Sequence, residues 1–428
     1  MLEGETLALR FIFVHISSEM KILFIGLVWP EPQSSAAGWR ILQLVEAFTQ
    51  IGEVHFACAA AKSRYSFPLA ERGIKEHAIV LNDASFDAFV EGLQPDIVVF
   101  DRFMVEEQYG WRVAEKCPKA LRILDTEDLH FLRLAREQSF KRKTELDLHT
   151  YVAKRELASI LRSDISLMIS KYEILLLKEQ FLIPEEKLFY IPFQEKRLED
   201  DILAHLPAFE ERQHLVFIGN FMHEPNFRTV EILKREIWPR LSKVLTKAEL
   251  HIYGAYAGAK VMQLHNPKQR FHVKGRAEKA RDTLAQYRVL VAPIPFGAGA
   301  KGKFVDAMAV GTPSVTTPIG AEDMSIDNLW SGFVAEDYET MVQRCVQLYS
   351  DKEIWLEKQR QGIKLFNQTV ADDSFTKALV CLCRQRVEDL ADYRKKYFLG
   401  EILLLQQLNA TKYMSLWIEE KNKREHIE

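Results

Sequence analysis

Short runs of Val, Ile, Leu and Phe alternate along this 428-residue chain with longer stretches whose apolar positions recur every three or four residues. The short runs suit strands buried on both faces, and the longer stretches suit helices that cover them. That rhythm belongs to β-α-β units around a parallel sheet. In the first half it predicts strands over residues 22–28, 54–59, 79–81, 96–100, 121–124, 165–170 and 188–192. Helices are predicted over 39–50, 86–92 and 106–116, with a long one over 131–161. A second series of strands follows over 214–219, 248–253, 271–273, 289–293, 314–317 and 332–335. Between the series lies a polar stretch with Glu199, Asp200, Asp201 and Pro207, and beyond about residue 373 only helical patterns remain.

Two such series predict an α/β protein of two doubly wound, Rossmann-like domains facing a central cleft. The N-terminal domain is expected over 20–195, a linker over 196–213 and the C-terminal domain over 214–372. Helices of 373–428 are expected to pack in part on the N-terminal domain. Residues 1–19 read as an N-terminal extension, because Met20 directly precedes the first strand. Their apolar stretch from Leu9 to Ile16 is broken by Arg10 and His15, and is too short to span a membrane.

Composition narrows the function classes. Hydrophobic residues at 47% and charged residues at 27% are those of a folded chain. A net charge of −3, from 57 basic and 60 acidic residues, gives no general attraction to nucleic acid, and no stripe of basic and aromatic residues appears. The five cysteines, an odd number without ligand spacing, predict neither a disulfide framework nor a zinc site.

In open parallel sheets, ligands bind beyond the carboxyl ends of the strands, so chemistry is sought at strand-to-helix junctions. The richest junction is Pro293-Ile-Pro-Phe-Gly-Ala-Gly-Ala-Lys-Gly-Lys-Phe-Val-Asp306. Gly297 and Gly299 allow backbone amides to turn inward, the helix beginning near Gly302 presents its positive end, and Lys301 and Lys303 add two cations. Together they describe a cradle for a diphosphate, with Asp306 one turn on to accept hydrogen bonds from ribose hydroxyls. The bland alternative is a tight turn with solvated lysines.

The full string, read on through Ala-Met-Ala-Val-Gly-Thr-Pro-Ser-Val-Thr-Thr-Pro-Ile-Gly-Ala-Glu322, resembles the donor-binding signature of family 4 retaining glycosyltransferases, which have the GT-B fold. The resemblance runs from about Lys21 to Leu365. It implies a nucleotide-diphosphate sugar held by the C-terminal domain and a glycan or lipid-linked hydroxyl acceptor held by the N-terminal one. It further implies a cytoplasmic protein in surface glycan or glycoconjugate synthesis, with peripheral contact at the inner membrane face compatible with it.

Two positions depart from the pattern within the donor-binding string. Asp306 stands where relatives carry the ribose-binding Glu, and Ala298 stands where many have a sugar-contacting Glu. After the first strand of the second series, Asn220 takes the usual place of an Arg, and Arg228 lies in the region of a phosphate-binding Lys; Asn capping a helix is the alternative. Arg276 falls at the nucleobase junction or else on the surface. Ser35 and Gly38, in the loop after the first strand, suit approach to sugar and phosphate, or simply a helix cap. Glu127, Asp128 and His130 occupy the acceptor side, Glu127 and Asp128 in the place of a family His-Asp pair, and are the expected catalytic group. Asp101 and Arg102 are a further cleft pair or a local ion pair. No Asp-x-Asp pair for a divalent ion is present, so neither metal nor cofactor is expected beyond the donor itself. A nucleotide-sugar epimerase of the same fold, or a non-catalytic sugar-nucleotide binder, are the competing readings.

Overall fold

The computed structural model describes residues 20–199, 201–326 and 329–425, so the expected extension 1–19 lies outside the described residues. The N-terminal sheet contains β1 (Met20–Gly26), β2 (Gly52–Cys58), β3 (Lys75–Ala78), β4 (Ile97–Asp101), β5 (Leu121–Asp125), β6 (Ile165–Met168) and β7 (Leu188–Tyr190). The C-terminal sheet contains β8 (Gln213–Ile218), β9 (Leu250–Tyr253), β10 (Phe271–Gly275), β11 (Tyr287–Ala292), β12 (Ser314–Thr316) and β13 (Gly332–Val334). Their orders are β3-β2-β1-β4-β5-β6-β7 and β10-β9-β8-β11-β12-β13, with parallel pairing. The chain is thus of the doubly wound α/β class in both halves, with helices on both faces of each sheet.

Strand alternation explains why the runs are apolar at every position. Ile22, Phe24, Val54, Phe56, Ile97 and Val99 enter one core of the N-terminal domain, while Leu23, Ile25, Ala57, Val98 and Phe100 enter the core on the opposite face. A sheet covered on both sides leaves no polar face. The helix Ser374–Lys396 closes one of these cores with Leu379, Cys383 and Leu390. The helix Phe398–Glu425 follows it along the N-terminal domain, where Arg122 donates to Glu401 at 2.7 Å. Among the described residues no helix is long and apolar enough to cross a membrane.

Two expected elements differ. The third strand is Lys75–Ala78, not 79–81: an edge strand needs no continuous apolar run, and Val80 and Leu81 are left exposed beyond it. The long helix over 131–161 is two helices, His130–Arg142 and Tyr151–Arg162. The first stops at Lys143 in a left-handed conformation (φ 55°), and Thr150 caps the second through the amide of Ala153. The linker is anchored at its end by Arg212, which is fully buried. Its guanidinium donates to Thr312 Oγ1 at 2.7 Å and to the Val310 carbonyl at 2.8 Å.

Candidate active site

In each sheet the strand order reverses at a junction, β1/β4 in one and β8/β11 in the other. Both switch points open into one cleft of about 1150 Å³ between the domains. Small-molecule sites occupy about 300–1,000 Å³, so this cleft has room for more than one ligand. Its walls include Gly219, Asn220, Gly297, Lys301, Lys303 and Asp306 from the C-terminal domain. Ser35, Gly38, Asp101, Arg102, Glu127, Asp128 and His130 come from the N-terminal domain.

The loop after β11 leads into the helix Gly302–Ala309, whose first residue abuts the helix Ala36–Phe48: a Cβ on Gly302 would lie 2.7 Å from that of Ala36. Two helix N-termini therefore meet at the cleft, and their unpaired amides favour an anion there. Ser35 Oγ caps the N-terminal-domain helix by accepting the Gly38 amide at 3.0 Å, so that amide serves the cap. Gly38 itself has no room for a side chain, since a Cβ would lie 2.5 Å from the Glu31 carbonyl oxygen.

Lys303 Nζ donates to Asn226 Oδ1 at 2.6 Å and sits 4.5 Å over the Phe217 ring. Burial, with the charge of Lys301 adding, lowers its pKa to about 7. Lys301 Nζ donates to the Gly299 carbonyl at 2.7 Å, and burial lowers its pKa too, against the attraction of Glu322. Burial thus disfavours the charged form of both amines, and an arriving anion would favour it again, most of all at Lys303. Asp306 is raised by burial, although Arg281 donates to it at 2.8 Å; Arg281 in turn reaches Glu195 at 3.1 Å. Asn220 shapes the loop after β8, accepting the Met222 amide on Oδ1 at 2.8 Å and Asn226 Nδ2 on its carbonyl at 2.8 Å.

Three expectations are corrected here. The Gly299 amide does not face a ligand: it donates at 2.7 Å to Glu173 Oε1 of the N-terminal domain. Arg228 does not line the cleft; it is held on its own helix by Glu224 at 2.9 Å and Glu231 at 2.6 Å. Arg276 stacks on Tyr65, 3.6 Å from the ring centroid, and also lies off the cleft wall. The cleft near it is instead lined by Gly254, Ala255, Tyr256 and Ala277.

Across the cleft, Glu127 adopts a left-handed conformation (φ 61°) that a non-glycine residue holds only when its surroundings enforce it. Its Oε1 is buried without a hydrogen-bond partner. Burial pushes its carboxyl well above the usual range, and the neighbouring Asp125 adds to this against Arg102. Asp128 behaves oppositely. Burial would raise it, yet the Arg133 guanidinium, donating at 2.8 Å, holds it far below the usual range. His130 Nδ1 lies 3.5 Å from Asp128 and 3.7 Å from Glu156. A carboxyl whose protonated form is favoured by burial and one whose ionised form is favoured by Arg133 thus stand side by side, a division of labour suited to proton transfer and charge stabilisation.

Sequence reasoning passed over Glu173, Arg133 and Arg136. Glu173 stands three residues after Ser170, which accepts its amide at 3.1 Å, so Ser-Lys-Tyr-Glu reads as a helix start. The carboxyl instead crosses to the loop that holds Gly299, and burial raises its pKa to about 8. Arg136 donates to the Gly297 carbonyl at 2.7 Å and to both oxygens of Glu322 at 2.8 and 2.7 Å. The only early signal for Arg133 and Arg136 was their position one and two turns after Asp128.

Residues 212–351 match the family model described as glycosyl transferases group 1. No curated protein matches the chain by sequence. Among solved structures, the chain is similar to sucrose-phosphate synthase from Thermosynechococcus elongatus, at 15% identity and TM-score 0.62, covering 86% of this chain and 99% of that one. It is similar to Anabaena HepE in complex with UDP and glucose, at 13% identity and TM-score 0.61, covering 87% and 100%. WaaG, a glycosyltransferase involved in lipopolysaccharide biosynthesis, matches at 13% identity and TM-score 0.58 over 83% and 98%. At such identities these structures establish the two-domain GT-B fold.

Proposed function

We propose that this chain, a glycosyltransferase with a glycosyl transferases group 1 domain within a GT-B fold, moves a sugar from a nucleotide-diphosphate donor to a hydroxyl acceptor with retention at the anomeric carbon. The observation that carries this reading is the convergence of Lys301, Lys303, Asp306 and two helix N-termini on one cleft wall opposite Glu127 and Asp128. Departure of the donor's diphosphate concentrates negative charge beside those lysines and amides. The sugar left behind carries oxocarbenium-like positive charge, which the ionised Asp128 opposes. Glu127, in its ionised form, receives the proton of the attacking hydroxyl, and its raised proton affinity favours that transfer.

Asp306 is assigned to the ribose hydroxyls, Asn220 to the loop beside the diphosphate, and the helix start that Ser35 caps through the Gly38 amide to the approach of the sugar. The lysines and helix ends neutralise the diphosphate without a divalent ion; loss of turnover on EDTA treatment, restored by manganese, contradicts that part. The acceptor is a glycan or lipid-linked hydroxyl at the inner membrane face. Phe398, Leu399, Ile402 and Leu405, exposed on the Phe398–Glu425 helix beside Lys395 and Lys396, support peripheral contact there.

Anabaena HepE structures hold UDP and UDP-glucose, which places UDP first among nucleotides to test. The test is calorimetry and thermal shift with UDP, GDP, ADP and their sugars, followed by NMR of product anomeric configuration across an acceptor panel. Stoichiometric binding of a sugar nucleotide that is lost in Lys301→Ala and Lys303→Ala is expected. Undiminished affinity in both variants overturns the assignment of the cleft.

A further inference from the structure

The strands that carry the cleft at their carboxyl ends have a second group of chemistry-bearing side chains at their other ends. His251 of β9 and His272 of β10 are register partners on adjacent parallel strands. Their side chains project from the same face, about 4.7–4.9 Å apart along the pairing direction. Glu249, two positions before His251, shares that face by strand periodicity. The carboxylate Oε2 of Glu249 lies 2.7 Å from His251 Nε2 and 3.4 Å from His272 Nε2. All three ligand atoms fall within 4.8 Å of one another. His272 Nε2 is buried and has no hydrogen-bond partner.

We propose that Glu249, His251 and His272 form a binding site for a zinc-class divalent metal ion, separate from the cleft. Two imidazoles and one carboxylate are the borderline donor set that suits zinc, with Zn–N near 2.0–2.1 Å and Zn–O near 2.0–2.2 Å. Ligand atoms around a tetrahedral ion at such bond lengths sit within the separations found here, and water completes the fourth position. The site also has an outer support. His251 Nδ1 and Tyr287 Oη are 2.6 Å apart, and Tyr287 Oη is 3.0 Å from that of Tyr253. An Nδ1–H donated to Tyr287 leaves the Nε2 lone pair free for the metal and fixes the ring's orientation. Lys274, a neighbouring cation on this face, is exposed to solvent.

A comparable trio in the N-terminal sheet shows what the C-terminal one has in addition. Glu53 meets His55 on Nε2 at 2.5 Å, while His77 meets it on Nδ1 at 2.9 Å. Those partners lie on opposite sides of one ring and do not converge. At the C-terminal trio the donors do converge, and β10 is an edge strand, so a bound ion would clamp the edge of the sheet to β9.

The test is titration of the untagged full chain with Co2+ and then Zn2+, reading the visible absorption of tetrahedral cobalt and the melting temperature. The expected result is one ion per chain and a melting temperature raised by about 5 °C or more at 100-fold excess over Kd. His272→Gln and Glu249→Gln each weaken binding by more than about 100-fold, and Tyr287→Phe by about 10-fold. His55→Ala leaves binding unchanged. Circular dichroism and nucleotide binding at the cleft report whether each variant is folded, so either substitution suffices if the other fails to fold. Absence of a stoichiometric site in the wild-type chain, or cobalt spectra unchanged in folded His272→Gln and Glu249→Gln, overturns the proposal.

Discussion

Arg136 of the N-terminal domain grips Glu322 of the C-terminal domain through two parallel hydrogen bonds, at 2.8 and 2.7 Å, across the mouth of the cleft. The same guanidinium holds the Gly297 carbonyl, so the glycine-lysine loop, the proposed donor site, is fastened to the opposite domain. Arg136 and Glu322 are part-buried, so truncating one partner is expected to cost about 2 kcal/mol, the low end for hydrogen-bonded charge pairs at an interface. Arg136→Ala is therefore expected to open the cleft, seen as a larger radius of gyration by small-angle scattering and a weaker donor Kd. An unchanged scattering profile would show that this pair does not set domain closure.

Lys303 links donor binding to pH. Free, it titrates near pH 7; beside a bound diphosphate its pKa rises. Below about pH 7 it is charged in both states and contributes no proton linkage. Above that, each binding event takes up a proton, so affinity falls as pH increases, by at most about tenfold per unit. Calorimetry at pH 8 in buffers of different ionisation enthalpy should detect this uptake. In Lys303→Met it should vanish, together with about 1.5–3 kcal/mol of binding free energy.

Glu173 makes stability fall with pH. Its folded pKa is about 8 against an ordinary value of 4.5. Between those pH values the folded chain binds more protons than the unfolded one, so ionising Glu173 works against folding, by up to about 1.4 kcal/mol per pH unit. Glu173→Gln keeps an acceptor for the Gly299 amide and loses the titration. Denaturant melts of wild type and variant from pH 5 to 8 should diverge progressively, the wild type losing more stability. Parallel curves would mean that Glu173 is ionised throughout.

Glu127 is strained and half-buried, and one of its oxygens lacks a partner. A group held at such cost where substrate chemistry is proposed should matter to turnover more than to binding. Glu127→Gln is expected to lower kcat by about 100-fold or more with donor Kd unchanged. Equal loss in both would assign Glu127 to donor binding.

Much of this molecule can be read from its sequence, because hydrophobic periodicity and strand-to-helix punctuation are local properties. β1, the Gly302–Ala309 helix and the glycine-lysine loop are recognisable within a few residues of chain, and the resemblance to a donor-binding signature rests on one continuous string. Expectations weakened wherever a side chain had a choice of partners. Arg228 and Arg276 occupied plausible positions, yet one is held by carboxylates on its own helix and the other lies on Tyr65. Glu173 resembled an ordinary helix start, and only packing of the two domains brings its carboxylate to Gly299, 126 residues away in sequence. Periodicity determined that there would be two parallel sheets and a loop rich in amides and amines between them. The pairing of Arg136 with Glu322, the desolvation that lowers the Lys303 pKa and the meeting of Glu249 with His272 were decided by tertiary structure. Burial and cross-domain distance fix the energy of a charge, and neither is a property of any stretch of sequence alone.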